Sequence, residues 1–381
     1  MNKGKLLIGC FLCTLSLFSC KDSYRPDLKS TDTNFLVVEA VLNPGAGGAS
    51  VMLSRTTKID SAGYKPELNA IVTVEGRDNT TRSMPSVAPG WYNSPNLNLV
   101  IGNEYRLRIR TSNGKEYLSA YVKAKITPPI DTIGWKRNDE GVQLYVDAHD
   151  ATNSTRYYRW DYDETWEIRS YYYSGYIYVS SNNTVRDRTI TEDVSRCWKY
   201  GSSTSIAVGT SERLQADIIS QAPLNFIANN DEKLCVRYSV LLRQYALDKE
   251  GYKFFELLKR NTENLGSIFD AQPSEIRGNV QCVTDPQELV IGYVSASTIV
   301  QKRMFIDNID LPGWRLTEYC PEINVANHPD SIRAAFSSGS LSPYSAVYSP
   351  VSGFLVAYKS SSAPCVDCLT RRAFNVRPSY W

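Results

Sequence analysis

The stretch Tyr105-Arg-Leu-Arg-Ile-Arg110 alternates apolar and basic side chains at a period of two residues. Successive side chains of a strand point to opposite faces, so the three apolar side chains face one side of a sheet and the arginines face the other. One buried and one solvated face is typical of antiparallel sheets. Asn113-Gly114 follows and favours a type I′ turn with positive φ at both residues. The sequence therefore predicts a hairpin with Lys115 to Val122 as the partner strand.

Similar short runs lie on the N-terminal side of this hairpin. Leu36 to Leu42, Ser50 to Ser54 and Ile71 to Glu75 are rich in β-forming residues, and clusters of Gly, Pro and Asn separate them. Thr127-Pro128-Pro129 ends the series, because neither proline can donate a backbone hydrogen bond to a ladder. We therefore predict an immunoglobulin-like or prealbumin-like β-sandwich over residues 34–127.

A second β-rich region follows from residue 130 to residue 381. Tyr158 to Ile168 alternates at period two, Leu234 to Leu242 also reads as a strand, and the more continuously apolar Leu289 to Val294 favours a central position in a sheet. The sequence predicts one helix, capped by Asp248 and ended by Leu265-Gly266, with Tyr252, Phe255 and Leu258 on one face. The fold class predicted is thus all-β: a sandwich followed by a larger, disulfide-containing β-rich domain with one helix.

The first twenty residues predict where the protein is located in the cell. Lys3 and Lys5 precede an apolar run from Leu6 to Phe18, and Ser19 then precedes Cys20. This order is typical of a lipoprotein signal peptide, here residues 1–19, whose removal leaves Cys20 as the acylated first residue. Residues 20–33 are polar and are interpreted as a tether. No later stretch approaches the roughly twenty apolar residues of a spanning helix, so lipid would be the only membrane anchor.

The charge balance argues against binding to nucleic acid. The chain has 42 Lys and Arg against 40 Asp and Glu, and removal of the signal peptide with Lys3 and Lys5 equalises the two numbers. A phosphate-binding surface needs clustered and uncompensated basic residues, whereas basic and acidic residues alternate along this chain.

Six of the nine cysteines lie in the main body of the chain and form an even set of disulfide candidates in an exported protein. These are Cys197, Cys235, Cys282, Cys320, Cys365 and Cys368. Fifteen pairings are possible. The spacing suggests 197 with 235, 282 with 320, and 365 with 368. Cys365-Val-Asp-Cys368 also has the spacing of two zinc ligands, but no second pair completes four, so we predict no metal site.

Recognisable catalytic motifs are absent from the sequence. No GxSxG, GxxxxGK[ST] or GxGxxG occurs, and the two histidines, His149 and His328, are far apart in sequence. We therefore predict a protein without enzymatic activity and without a cofactor. Asp161, Asp163 and Glu167 share one face of a predicted strand and could flank a glycosidic bond, but charged residues are also expected on a solvated strand face, and we favour that interpretation.

A tyrosine-rich run is the predicted binding surface. Its members are Tyr171, Tyr172, Tyr173, Tyr176 and Tyr178. They fall on both parities, so a strand could not bury all of them in one core. Exposed tyrosines provide contact area at small entropic cost and suit a ligand or protein surface. The alternative is a long hairpin whose second face packs against a neighbouring domain.

An ordered series of short motifs resembles the Bacteroidetes lipoproteins grouped as domain of unknown function 4249. The series is Cys20 with Tyr24-Arg-Pro26, Leu36-Val-Val-Glu39, Asn113-Gly-Lys-Glu-Tyr117, Pro129-Ile-Asp131, Cys197-Trp198, the helix segment Phe254 to Thr262, Gln272-Pro-Ser274 with Gly278-Asn279, Leu289 to Ser297, Cys365-Val-Asp-Cys368 and Arg377-Pro-Ser-Tyr-Trp381. The resemblance implies an outer-membrane lipoprotein, commonly encoded beside TonB-dependent receptors, with no established activity and no catalytic residues to transfer.

Three functional hypotheses follow from these observations. The favoured one is a non-catalytic binding or accessory module, lipid-anchored at the outer membrane, with the cell-surface face preferred and a TonB-dependent receptor as partner. The second is a surface glycan or peptide hydrolase that uses carboxylates. The third is an adhesin or envelope spacer.

Overall fold

The computed structural model describes residues 34–57, 64–263 and 276–381. The predicted signal peptide, the tether and Cys20 lie outside these residues, as do Leu265-Gly266 and Gln272-Pro-Ser274. Ten described strands precede residue 124: β1 (Leu36–Leu42), β2 (Ala49–Arg55), β3 (Lys65–Pro66), β4 (Ile71–Gly76), β5 (Thr81–Met84), β6 (Ser86–Ala88), β7 (Trp91–Ser94), β8 (Glu104–Arg110), β9 (Glu116–Ser119) and β10 (Val122–Lys123).

The remaining elements follow in chain order. They are β11 (Ile130–Arg137), β12 (Gly141–Asp150), β13 (Tyr157–Arg169), β14 (Tyr176–Val179), β15 (Thr184–Asp187), β16 (Arg196–Ser202), β17 (Ala207–Thr210), β18 (Asp217–Ala228), β19 (Arg237–Leu247), α1 (Lys249–Glu263), β20 (Val280–Cys282), β21 (Val290–Ala296), β22 (Ile299–Asp307), β23 (Ile323–Ala326), α2 (Pro329–Phe336), β24 (Leu341–Tyr348), β25 (Leu355–Ser362) and α3 (Ala363–Val366). The mostly β composition confirms the predicted fold class.

A first sandwich is built from two six-stranded sheets around one core. One sheet has the order β21-β1-β2-β7-β6 with β3 beside β2, and the other has the order β20-β9-β8-β4-β5 with β10 beside β8. Strand β8 follows the predicted alternation, since Tyr105, Leu107 and Ile109 are almost fully buried. Each such side chain contributes roughly 1.5–3 kcal/mol on burial, so this stripe fixes the strand's register in the sheet.

The turn after β8 differs from the predicted type I′ turn. Gly114 has φ of 85°, whereas Asn113 is not among the residues with positive φ. The amide of Thr111 donates to the carbonyl oxygen of Lys115 at 2.9 Å, so three residues connect the strands instead of two. A three-residue connection needs only one left-handed residue, and glycine supplies it.

Strands β20 and β21 come from the C-terminal half of the chain but complete the first sandwich. Strand β21 runs parallel to β1, with Val38 opposite Gly292, and β20 pairs with β9. The prediction that Leu289 to Val294 occupies a central position was wrong, because β21 is the edge strand of its sheet. It is buried there because Val290, Val294 and Ala296 face the core of the first sandwich, while Tyr293 packs against α1. A sandwich limited to residues 34–127 does not account for these two strands.

A second sandwich contains the strands predicted in the C-terminal region. The sheet β16-β13-β19-β22, with β17 beside β13, packs on the three-stranded sheet β11-β12-β18. Trp160, Tyr238 and Leu242 are buried in the core that the two sheets share. Strand β19 begins at Arg237, later than predicted, because residues 232–234 form a 3₁₀ turn.

A third, smaller core joins the β14-β15 hairpin to the sheet β23-β25-β24 and α2. Helix α2 was not predicted from the sequence, although its signals are present. Pro329 occupies the first turn, and His328 accepts a hydrogen bond from a first-turn amide as an N-cap. Ile332 and Phe336, four residues apart, are its buried residues, which is the helical spacing.

Two disulfides lie within the described part of the chain, and the suggested pairing was wrong. Cys197 bonds to Cys368 and Cys320 bonds to Cys365, while Cys235 and Cys282 are free thiols. The two cysteines of the Cys365–Cys368 motif are separated by the end of α3, so their side chains reach different partners. This motif therefore links β16 and residue 320 to one C-terminal segment.

Candidate functional site

A cleft of about 560 Å³ lies where the two sandwiches and α1 meet. Strands β1, β7 and β21 form the wall on the side of the first sandwich. Strands β13 and β19 and residues 202–206 form the opposite wall, and α1 closes one side. Ligand sites in proteins are typically concave, mostly apolar and of about 300–1,000 Å³, so this cleft has the size of a small-molecule site.

Helix α1 is held against β21 through Asp248. The Asp248 carboxylate accepts a hydrogen bond from the amide of Gly251 at 2.7 Å and so caps the helix as predicted. The same Oδ1 accepts a hydrogen bond from the Tyr293 hydroxyl at 2.6 Å. Gly251 is required there, because a Cβ at this position would lie 2.9 Å from the Tyr293 ring. The residues that α1 buries are Gly251 and Phe254, so the predicted apolar face was displaced by one residue.

Aromatic side chains form the apolar lining of the cleft. The ring centroid of Tyr293 lies 5.7 Å from that of Phe254 and 6.4 Å from that of Phe255. Trp91 of β7 also lines the cleft and is 45% exposed. Two consecutive phenylalanines cannot both point into the core beneath a helix, and Phe255 is the one left half-buried at the cleft. This pair was the sequence signal that could have marked the site.

Arg159 is the cation that projects between the aromatic groups. Its guanidinium carbon lies 4.4 Å from the ring centroid of Tyr245 and 4.8 Å from that of Phe255. These two cation–π contacts restrict the position of the guanidinium. Its Nη2 lies 3.5 Å from Asp161, but its buried Nε has no hydrogen-bond partner within the described part of the chain. Arg159 therefore enters the cleft with unused donor capacity.

Arg243, the other arginine of the cleft, already donates from all three of its side-chain nitrogens. Its Nε donates to Asp161, while Nη1 and Nη2 donate to Asp163 at 2.6 and 3.1 Å. Hydrogen bonding to Arg243 holds the pKa of the Asp163 carboxyl below its usual range, although burial opposes this. The two aspartates predicted on one strand face are thus brought together by a shared arginine.

Glu39 of β1 faces this basic group from the first sandwich. Desolvation by the surrounding protein raises the pKa of Glu39, and the positive charge of Arg159 partly opposes the rise. The cleft consequently contains carboxylates from both sandwiches near one arginine with unused donors.

Glu167, the third predicted carboxylate, is not part of the cleft. Its side chain is 2% exposed and accepts two hydrogen bonds from Arg196, both at 2.8 Å. Arg169 and the indole Nε1 of Trp381 donate to it as well. The interpretation of a solvated face was therefore wrong for Glu167, because the C-terminal Trp381 covers it. Burial alone would raise the pKa of Glu167, but the two arginines lower it below its usual range.

Glu164 is a buried carboxylate that was not predicted from the sequence. It lies on the core-facing side of β13, where Lys233 at 2.7 Å, the Tyr238 hydroxyl at 2.6 Å and the Asn225 amide at 3.0 Å donate to it. A buried carboxylate needs such partners to offset its desolvation.

The structure divides the tyrosine-rich run into two groups. Tyr172 stacks on Tyr344 with ring centroids 4.1 Å apart, and Tyr176 and Tyr178 pack against the third core. Tyr171 and Tyr173 are 64% and 69% exposed. Three of the five candidate residues thus pack within the protein, and two are available on its surface.

Tyr171 also lines a pocket of about 400 Å³ on the second sandwich. The free Cys235 and Arg371 lie in the same pocket, where Arg371 pairs with Glu232 at 2.9 Å and Glu318 at 2.8 Å. Burial raises the pKa of the Cys235 thiol, so it is a weak nucleophile at neutral pH.

The chain matches a known protein family. A protein-family model described as a domain of unknown function, DUF4249, matches residues 21–303, most of the chain. No curated protein matches the chain. Among residues 34–57, 64–263 and 276–381, no helix is long and apolar enough to cross a membrane, and no cluster of three or more His, Cys, Asp or Glu side chains could hold a metal ion.

Proposed function

The chain belongs to the family of domain of unknown function 4249, and from that premise we propose that it is a non-catalytic, lipid-anchored binding module of the outer membrane. It works beside a TonB-dependent transporter. The family description carries no activity, so the evidence for a binding role comes from the cleft. That cleft joins an aromatic lining to an arginine with unused donors, an arrangement suited to holding a ligand.

Lipid on Cys20 keeps the binding module at the membrane. The apolar run and the small residue before Cys20 support this part of the proposal. Labelled palmitate should enter the chain, and Cys20→Ala should release it to the soluble fraction. Unchanged membrane partitioning of Cys20→Ala would overturn the anchor.

The exposed tyrosines Tyr171 and Tyr173 form the surface proposed to contact the transporter. After mild detergent extraction, the wild-type protein should co-purify with a TonB-dependent receptor identified by mass spectrometry. The double variant Tyr171→Ala/Tyr173→Ala should recover much less receptor. Tyr64→Ala is the matched control, because Tyr64 is an exposed tyrosine of the first sandwich at 51%. Absence of any receptor from the wild-type sample would overturn the partnership.

A hydrolase would give a different result. Turnover of a glycan or peptide library that is lost on Asp161→Asn would replace the binding proposal with catalysis. The engagement of Asp161 and Asp163 with one arginine favours a structural role for both carboxylates. An anchored protein without ligand, receptor or turnover would be an envelope spacer.

A further inference from the structure

The charge arrangement in the cleft indicates which ligand it selects. We propose that the cleft binds a small organic carboxylate, with the carboxylate hydrogen-bonded to Arg159 and an apolar body against the aromatic lining. This inference rests on the proposed function of the cleft as a binding site. It adds the chemical class of the ligand and the residue that recognises it.

Arg159 is equipped to bind an anion. A guanidinium has five N–H donors in a fixed fork that matches the two oxygens of a carboxylate. Asp161 approaches Nη2 only at 3.5 Å, and the Arg159 side chain is 21% exposed where it lines the cleft, so a ligand can reach it. Tyr245 and Phe255 hold the guanidinium in place before any ligand arrives. Such preorganisation lowers the entropy lost on binding.

Arg243 does not compete for the same ligand. Its three side-chain nitrogens already donate to Asp161 and Asp163, and the Asp163 pair is bidentate. An incoming anion would have to displace a carboxylate from it. The specificity of the cleft for a negative charge therefore depends on Arg159.

The neighbouring carboxylates favour a singly charged anion. Glu39 and Asp161 both line the cleft together with Arg159, and Asp161 lies 3.5 Å from its Nη2. A phosphate monoester carries close to two negative charges at neutral pH and would meet two carboxylates beside one available cation. A carboxylate carries one charge and avoids most of this repulsion.

The rest of the lining favours an apolar body on that ligand. Trp91, Phe254 and Leu258 line the cleft together with Phe255. Aromatic side chains bury large areas of a ligand and orient flat groups by stacking. A free carboxylic acid with an aryl group and the C-terminus of an apolar peptide both provide this chemistry.

Four probes distinguish the charge requirement and the source of the carboxylate. They are 3-(2-naphthyl)propanoic acid, its primary amide, an acetylated dipeptide ending in tryptophan, and the primary amide of that dipeptide. Isothermal titration calorimetry of the full folded protein measures each affinity. At least one acid should bind about tenfold or more tightly than its own amide, because hydrogen bonds to charged groups are worth roughly one to two factors of ten. The acid with the higher affinity identifies the source.

Two variants of the cleft and one control variant show whether Arg159 and Glu39 determine the affinity for the acid. Arg159→Gln should weaken binding of the acid by roughly ten- to hundredfold and leave the amide unchanged. Glu39→Gln should strengthen binding of the acid roughly two- to fivefold, the range of a partly exposed charge pair. Arg110→Gln removes the same charge from an exposed position of β8 and should change neither affinity.

The outcomes separate this inference from the proposed function. The ligand class is wrong if each acid binds no more tightly than its amide, or if the folded Arg159→Gln variant keeps the wild-type affinity for the acid. Failure of both acids to bind also overturns the inference. The proposed function fails on different measurements, namely membrane partitioning of Cys20→Ala and recovery of the receptor.

Discussion

Removal of the Asp248 carboxylate should loosen α1 and the wall of the cleft that it forms. Asp248 makes two hydrogen bonds, one from the amide of Gly251 at 2.7 Å and one from the Tyr293 hydroxyl at 2.6 Å. Burial and the bond to Asp248 both raise the pKa of Tyr293 far above its usual range, so the hydroxyl keeps its proton and remains a donor at neutral pH.

The expected loss of stability follows from these two hydrogen bonds. Loss of an N-cap costs about 1 kcal/mol, and loss of a hydrogen bond to a charged acceptor costs about 2 kcal/mol. Asp248→Ala should therefore destabilise the docked helix by about 3 kcal/mol. Asp248→Asn retains a capping oxygen and should cost about 1 kcal/mol. Tyr293→Phe removes only the second bond and should cost about 2 kcal/mol.

Hydrogen exchange of the α1 amides measures this effect locally. When the helix opens and closes faster than its amides exchange, the exchange rate follows the opening equilibrium. A loss of about 3 kcal/mol in the free energy of opening then makes exchange roughly a hundredfold faster. The double variant Asp248→Ala/Tyr293→Phe should cost less than the sum of the single variants by about 1–2 kcal/mol, because both remove the same bond. Mass spectrometry of peptides from α1 gives the exchange rates.

Glu250→Ala is the matched control in the same helical turn. Glu250 pairs with Lys253 at 2.9 Å, but its side chain is 71% exposed, so exchange should change little. The reasoning is refuted if Asp248→Ala accelerates exchange no more than Glu250→Ala does. Strictly additive effects of Asp248→Ala and Tyr293→Phe would also refute it.

Three further substitutions or titrations test other parts of the structure. Gly292→Ala should lower the free energy of unfolding in urea by about 3 kcal/mol or more, because the φ of Gly292 is +147° and a Cβ would lie 2.0 Å from a carbonyl oxygen of β1. Gly134 has open space around it, so Gly134→Ala should leave the stability unchanged. Equal effects of the two substitutions would contradict this prediction. A soluble form that consists of residues 21–381 should show two free thiols after denaturation. In the folded state Cys235 should react slowly and Cys282 should not react. Absence of any free thiol after denaturation would contradict the two disulfides. Because the pKa of Glu167 is lowered in the folded state, its contribution to the free energy of unfolding is present above about pH 4.5 and is lost as the pH falls through the folded pKa. Glu167→Gln should therefore make the stability less sensitive to acid. An unchanged pH profile of stability would contradict the ion pairs described for Glu167.

The strands were predictable because their signal is local. In β8 and β13 the side chains that face a core alternate with those that do not, so burial leaves a period of two in the sequence itself. The signal for the start of α1 was equally local, since Asp248 caps the helix within one turn. These elements needed no knowledge of what they pack against.

Pairings between distant segments left no such signal. Strand β21 joins β1 across more than 240 residues of chain, and its apolar run predicted burial without revealing that it lies at a sheet edge. Cys365 and Cys368 are three residues apart, yet each bonds to a different distant cysteine. Spacing along the chain therefore carried no information on the disulfides.

The candidate site was hidden for the same reason. Glu39, Arg159 and Phe255 come from β1, β13 and α1, and each has an ordinary place in its own element. The predicted tyrosine-rich surface was a local feature, and the structure leaves only Tyr171 and Tyr173 of it well exposed. A cleft between two sandwiches exists only after they are docked, so its residues share no sequence pattern.

Docking of the two sandwiches is fixed where the chain passes between them. The Thr127 hydroxyl accepts a hydrogen bond from the amide of Ala246 at 3.0 Å and donates to the carbonyl oxygen of Thr298. Lys125 reaches the carbonyl oxygen of Leu247 at 2.9 Å. Three passages of the chain are thus bonded to one another, and Thr127 is 3% exposed. Because the walls of the cleft are joined at these passages, the spacing between Glu39 and Arg159 is set by the fold before a ligand binds.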